Sequence, residues 1–263
     1  MISRKQGIAR WLAFGAGVAA LALTTNACAE RLAFRPGTSS GTVVFGGDNY
    51  TFSPSNSAAW GYSFGYANST PQISAVLNLS GLPGNADATK SWLAFRNLFG
   101  NGTGQIPFKS TITKAVLHFK IYTSGARNVN VEFHRIVDEA NTWVGNTTDM
   151  NWRYRVKSTA TSWTKVVGGN AAHLGEAVSA VAESIHVETP SGESSPEFDL
   201  AVTNSLRTWA ASGTGDNKNL GWAIYLDANQ SVSIQSPSSA GTRPTLYVEY
   251  TPYQPDGTAV IVR

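Results

Sequence analysis

Cysteine is nearly missing from this chain: Cys28 is the only one among 263 residues. Residues 30–263 carry no thiol, so they form no disulfide, no thiolate metal site and no cysteine nucleophile. A membrane span is missing too. The one long apolar run, Trp11–Leu23 (WLAFGAGVAALAL), falls short of the roughly 20 residues that cross a bilayer as a helix. An excess of charge of one sign is also absent. The chain has 20 Lys and Arg against 17 Asp and Glu, and Arg4, Lys5 and Arg10 precede or open the apolar run. Without those three the signs balance at 17 each. No field of the whole molecule therefore draws it to nucleic acid or to an anionic membrane. A preference for an acidic ligand has to come from a local patch.

Signatures of catalysis are lacking in the same way. No Gly-x-Ser-x-Gly elbow occurs. Gly100–Gly104 (GNGTG) has the glycines of a phosphate loop, but neither the Lys-Ser/Thr ending nor a following helix, and reads as a hairpin turn. His118, His134, His173 and His186 show no ligand spacing. His118 and His134 are expected to face each other across a hairpin, on a solvated sheet face. Asp138-Glu139, or Glu183, Glu188 and Glu193, are the acids a glycoside hydrolase would have to pair, and spacing brings no two of them together across a bond. A non-catalytic protein is expected. Asp216, Asn217 and Asn219 form an oxygen-rich loop able to touch calcium, but without an EF-hand pattern it reads first as a turn. No cofactor or metal site is expected, with a structural calcium left open.

What the chain does have begins with a leader. The basic start, the apolar run and Ala27-Cys28-Ala29 make residues 1–29 a secretory signal peptide, cut after Ala29. The rival is a lipoprotein that keeps an acylated Cys28. Thr25 stands where such signals carry an apolar residue, which favours simple secretion. The expected location is extracellular or at the cell surface, with the periplasm as the alternative.

Beyond the leader, strand patterns dominate. Ala115, Leu117, Phe119 and Ile121 alternate with Val116, His118, Lys120 and Tyr122. Val129, Val131 and Phe133 alternate with Asn130, Glu132 and His134. Trp222, Ile224 and Leu226, then Val232 and Ile234, then Leu246, Val248 and Tyr250 repeat the period of two. Such runs, bounded by Gly, Asn, Ser and Pro, describe half-buried antiparallel strands. Ser124–Arg127 and Asp227–Gln230 are expected as hairpin turns. One helix is expected over 202–211, because Val202, Leu206 and Trp209 fall at i, i+4 and i+7, with Asp199 or Thr203 as its cap. Its apolar stripe should plug one end of a sandwich. Residues 53–90 and 140–169 are less regular, and long loops often carry function.

Two stretches are candidate binding sites. In Ala59–Thr70 (AWGYSFGYANST), Trp60, Tyr62, Phe64 and Tyr66 occupy every second position, with small residues between them. As a strand, this places the aromatics on one face at about 6.5 to 7 Å intervals. Trp60, Tyr62 and Tyr66 could then stack against successive sugars. Aromatics in a sandwich mostly pack inside, however, and if one face of this strand is buried it should be the aromatic one. In Asn151–Lys157 (NWRYRVK), Arg153, Arg155 and Lys157 alternate with Trp152, Tyr154 and Val156, giving a cationic edge backed by an apolar one. Arginine binds carboxylates bidentately, so this edge suits the uronates of an acidic polymer. It equally suits a solvated edge that discourages strand pairing.

The order of motifs resembles one family. SWLAFRNLF, STITKAVLHFKIY, VNVEFHRI, NTWVGNTTDMNW, SWTKVVGG, EFDLAVTNSLRTWAASG, NLGWAIYL and SPSSAGTRPTLYVEYT are similar, in sequence, to successive segments of the DNRLRE-domain family, and DNYTF to its opening strand. The resemblance covers roughly residues 48–251. It implies a secreted jelly-roll β-sandwich, of a kind often attached to polysaccharide-active or cell-surface proteins, with some alginate-binding members. The aromatic row at Trp60–Tyr66 and Arg96-Asn97 depart from the family pattern.

The expectation is therefore an all-β jelly-roll sandwich with one short helix, spanning residues 30–251 as a single domain, with 252–263 as a tail or edge strand. Its expected partner is a polysaccharide, acidic by virtue of Arg153, Arg155 and Lys157. The alternative is an extracellular structural protein, an adhesin or fibre subunit that meets other copies through its aromatic face.

Overall fold

Alternate side chains of an extended chain point to opposite faces, and residues 111–124 follow that rule for most of their length. Ala115, Leu117, Phe119, Ile121 and Thr123 are buried, and the residues between them are partly exposed. Ile112 is also buried, out of phase with the rest, because a register shift near Thr113 inserts one residue. The computed structural model describes residues 28–38, 41–53, 59–64, 76–81, 89–95, 97–136, 154–156, 161–162, 178–212, 219–238 and 243–254, with 59–64, 76, 154–156, 161–162, 178–181 and 212 by backbone alone.

Along these residues run β1 Glu30–Phe34, β2 Thr42–Phe45, β3 Asp48–Phe52, β4 Ala59–Phe64, β5 Val76–Ser80, β6 Lys90–Phe95, β7 Thr111–Ser124 and β8 Arg127–Ile136. There follow β9 Tyr154–Val156, β10 Thr161–Ser162, β11 Val178–Thr189, β12 Glu193–Ser194, β13 Glu197–Ala201, helix α1 Thr203–Ser212, β14 Trp222–Leu226, β15 Ser231–Gln235 and β16 Thr245–Thr251.

Two sheets are built from them. In the larger, β5, β15, β7 and β13 are successive neighbours; in the smaller, β6, β14, β8 and β11 are. From β3 to β8 the chain passes from one sheet to the other at every connection, and again between β11 and β12, β13 and β14, and β14 and β15, as in a jelly roll. The expected all-β sandwich with a short helix is the fold observed. β16 lies beside β7, β1 beside β16, and the β2–β3 hairpin beyond β1. Among the described residues, β4 forms one edge of the smaller sheet, and β9 and β10 pair only with each other.

Three local expectations are corrected. Ser124–Arg127 and Asp227–Gln230 are not hairpin turns: β7 and β8 lie in different sheets, as do β14 and β15. Two amphipathic strands joined by a short turn can cover their apolar faces side by side or face to face, and period two is the same for both. His118 and His134 consequently stand on different sheets. Gly100–Gly104 is not a hairpin turn either, because the bridge that closes it, Phe99 with Ile106, is parallel.

The inner faces share one apolar core. Phe34, Leu93, Phe95, Leu117, Phe119, Phe133, Trp222 and Leu246 belong to it. A smaller cluster lies on the outer side of the larger sheet. There the β2–β3 hairpin brings Phe45 flat onto Tyr247, with ring centres 4.0 Å apart, and the Tyr50 hydroxyl donates to Glu249 at 2.7 Å.

Helix α1 closes one end, as its apolar stripe predicts: Val202, Leu206 and Trp209 are buried in the core. Its capping differs from expectation. Asp199 lies 2.7 Å from His118 Nδ1 instead, and Thr203 Oγ1 accepts from the Ala115 amide at 2.9 Å. The cap comes from β11. Glu183 accepts from the Ser205 amide at 3.0 Å, from the Ser205 hydroxyl at 2.8 Å and from the Trp222 indole at 3.3 Å. A carboxylate there meets the unpaired amides of the first helical turn and the positive end of the helix dipole. Burial nonetheless raises the Glu183 pKa above its ordinary value, against the pull of the Ser205 and Trp222 hydrogen bonds and of Arg135.

A raised folded-state pKa means that ionisation of Glu183 costs stability as pH climbs from 4.5 through the folded value. Glu183→Gln should therefore flatten this part of the stability–pH curve. Glu183→Ala, which strands the Ser205 and Trp222 donors, should lose about 1 to 3 kcal/mol at any pH. Urea unfolding at pH 4.5 and pH 7 measures both; identical pH slopes for wild type and the Gln variant would remove Glu183 as the titrating group.

Candidate functional site

The outer face of the smaller sheet collects the groups with binding chemistry. On β6, Leu93 and Phe95 belong to the core, so Lys90, Trp92 and Ala94 take the other side. On β14, Trp222, Ile224 and Leu226 face the core and leave Ala223 and Tyr225 outside; on β8, Val129, Val131 and Phe133 leave Asn130, Glu132 and His134. Strand register aligns Ala223 with both Trp92 and His134, Tyr225 with Glu132, and Asn130 with His186 of β11.

The centre of this face is closed. Lys90, Trp92, Ala94, Ala223 and Tyr225 are each 3% exposed or less. The Lys90 ammonium lies 4.6 Å from the centre of the Tyr225 ring, an attraction between a cation and the ring quadrupole that strengthens away from water. The His134 ring lies 4.8 Å from the same ring, and His134 Nε2 is 3.1 Å from Glu132 Oε2. The Trp92 indole donates to the Leu220 carbonyl at 2.8 Å. Tyr225 Oη is buried with no hydrogen-bond partner. Burial alone pushes its pKa well above the ordinary tyrosine value, so it remains a neutral donor.

The margin toward β11 is open and polar. Asn130 donates to Asp227 at 2.5 Å and lies 3.1 Å from His186 Nδ1, while Gln230 and the Asn128 backbone bond reciprocally at 3.2 and 3.0 Å. Exposed amides and an imidazole held by hydrogen bonds suit the hydroxyls of a sugar.

The margin toward β4 carries the expected aromatic row. Trp60 is in register with Ala94, Tyr62 with Trp92 and Phe64 with Lys90, whereas Gly61 and Ser63 are in register with Leu93 and Ser91. The backbone therefore places positions 60, 62 and 64 on the side of Ala94, Trp92 and Lys90, and positions 61 and 63 on the side of Leu93. Tyr66 lies outside the described residues, as do Trp152, Arg153 and Lys157. Arg155 lies in β9, between the positions paired with β10, described by backbone alone.

The candidate acids do not converge. Glu183 caps the helix from inside, Glu188 pairs in register with Asn128 at the far end of β11, and Glu193 pairs with Ser124 of the other sheet. Asp138 and Glu139 lie outside the described residues. Of the proposed calcium loop, Asn219 donates to the Phe95 carbonyl at 2.7 Å, and Asp216 and Asn217 lie outside the described residues. Among the described residues, no three His, Cys, Asp or Glu side chains are grouped to hold a metal, and no helix is long and apolar enough to cross a membrane. At the far end of β7 from α1 lie two clefts of about 330 and 460 Å³, which share Ser231 and are lined largely by hydroxyls and amides.

Sequence reading missed Lys90, Glu132, His134 and Tyr225 as a group. A lysine opening the apolar strand KSWLAF was the available signal, since a charge there has to find a partner. No family model matches the chain, and no curated protein matches it either. The resemblance to DNRLRE domains therefore stands on the order of motifs alone.

Tyr225→Phe removes a buried hydroxyl that has no partner. It should leave stability unchanged or raise it by about 1 kcal/mol. Urea denaturation reads the difference, and a loss of comparable size would mean that Oη is hydrogen-bonded.

Proposed function

We propose that the protein is a secreted, non-catalytic carbohydrate-binding module that holds an acidic polysaccharide at the margins of the outer face of its smaller sheet, beside the closed centre. One observation supports this most: the backbone register of β4 puts positions 60, 62 and 64 on the same side of the sheet as Trp92 and Lys90. Sugar rings present C–H faces that lie on aromatic rings, while their hydroxyls need fixed donors and acceptors. The Asn130–Asp227–His186 margin offers such groups on the same face. The resemblance to DNRLRE domains supports the same class of ligand. Arg153, Arg155 and Lys157 supply the acidic preference on sequence grounds.

The second reading, a self-associating surface or fibre subunit, draws on the position of β4. An edge strand offers unpaired backbone groups and, here, an aromatic row to another copy.

Electrophoresis through gels containing alginate or a neutral glucan tests both. Alginate should retard the mature protein, and salt should release it, because exposed charges are screened. Each exposed charge contributes up to about 1 kcal/mol, so Arg153→Ala with Arg155→Ala should weaken alginate binding by at most about 30-fold. Trp60→Ala should weaken retention that persists in salt without lowering the melting temperature. Undiminished alginate retention in the double variant removes the cationic edge from the site. A wild type that no polysaccharide retards, and that elutes as an assembly in size exclusion, favours the subunit.

A further inference from the structure

Residues 107–110 (PFKS) concentrate three features that cost a folded chain stability. The Ser110 amide donates to the Pro107 carbonyl at 3.2 Å, closing a four-residue turn, and Lys109 sits in it with φ at +67°. That region strains any residue with a Cβ and favours glycine in turns. Phe108 is 36% exposed and Tyr253 45%, and these are the exposed large aromatics among the described residues. Ser110 Oγ is buried without a partner.

Two ring contacts lie at this turn. The Phe99 and Phe108 rings stack with centres 5.9 Å apart, and the Lys109 ammonium lies 5.3 Å from the centre of the Tyr253 ring. No carboxylate pairs with Lys109 among the described residues. The Lys109 amide donates to the Ala210 carbonyl at 2.8 Å, which ties the turn to the last turn of α1. A strained lysine, anchored through its backbone and held over an exposed ring, is the kind of local outlier that function maintains against stability.

We propose that Phe108, Lys109 and Tyr253 form a binding site for a uronate unit, separate from the outer sheet face and resting on the acidic-polysaccharide reading above. The exposed rings take the apolar C–H face of the sugar, and Lys109 takes its carboxylate. Glycine at position 109 would relieve the backbone but forfeit the cation. A neutral sugar would leave the ammonium unused, and a purely apolar partner would have to desolvate it.

The test is titration of the mature protein with hexagalacturonate, followed by calorimetry and by the ring-proton resonances of Phe108 and Tyr253. Lys109→Gly should raise the melting temperature by about 2 to 4 °C while weakening binding up to about fivefold. Phe108→Ala should weaken binding about threefold to tenfold, and the ring signals should move in the wild type. Full affinity in both variants with still ring signals overturns this site, and leaves the sheet-face reading standing if alginate still retards the protein. If no polymer binds, the sheet-face reading falls, and saturating galacturonate decides this site alone: moving ring signals keep it, and unmoved ones end it.

Discussion

The backbone of β7 is hydrogen-bonded along both edges. β16 and β13 overlap on it between Val116 and His118 and so take opposite edges; β15 and β12 continue the pairing toward Ser124. Its inner residues, from Ala115 to Ile121, stand in the middle of the core. Ala115 also anchors the helix, since its carbonyl accepts from the Val202 amide at 2.9 Å and its amide donates to Thr203 Oγ1 at 2.9 Å. A register slip of one residue in β7 would turn every one of these inner side chains outward and detach α1 with them.

Glu183 ties the second sheet to the same end. It stands on the core side of β11 and binds the helix through Ser205 and the smaller sheet through Trp222. Its ionisation is opposed by burial and favoured by three donors, so the group is held by geometry rather than by solvation. Truncating one member of such a set leaves the others unpaired, which makes the end cap cooperative. The Trp209 and Trp222 rings, 4.8 Å apart, fill the apolar space around it.

β4 enters beside this filled end. Gly61 and Trp222 are both in register with Leu93, so a large indole from β14 occupies the interior of the row that Gly61 enters. By backbone register, positions 61 and 63 of β4 fall on the core side, and positions 60, 62 and 64 on the side of Lys90 and Trp92.

The sequence by itself determined the strand content, the alternation that names the core residues and the helix stripe of Val202, Leu206 and Trp209. Each depends on side chains a few residues apart, and backbone periodicity converts that spacing directly into a face. Only the tertiary structure decided which strands share a sheet, that Ser124–Arg127 and Asp227–Gln230 cross the sandwich, and that the cap of α1 comes from Glu183 about 20 residues upstream. It also decided that Lys90, Glu132, His134 and Tyr225 meet, and that the Lys109 ammonium lies over the Tyr253 ring. These arrangements join residues from separate strands and turns. Period two says that a residue faces one way or the other, but which way, and opposite what, is set by the volume that other strands have already filled.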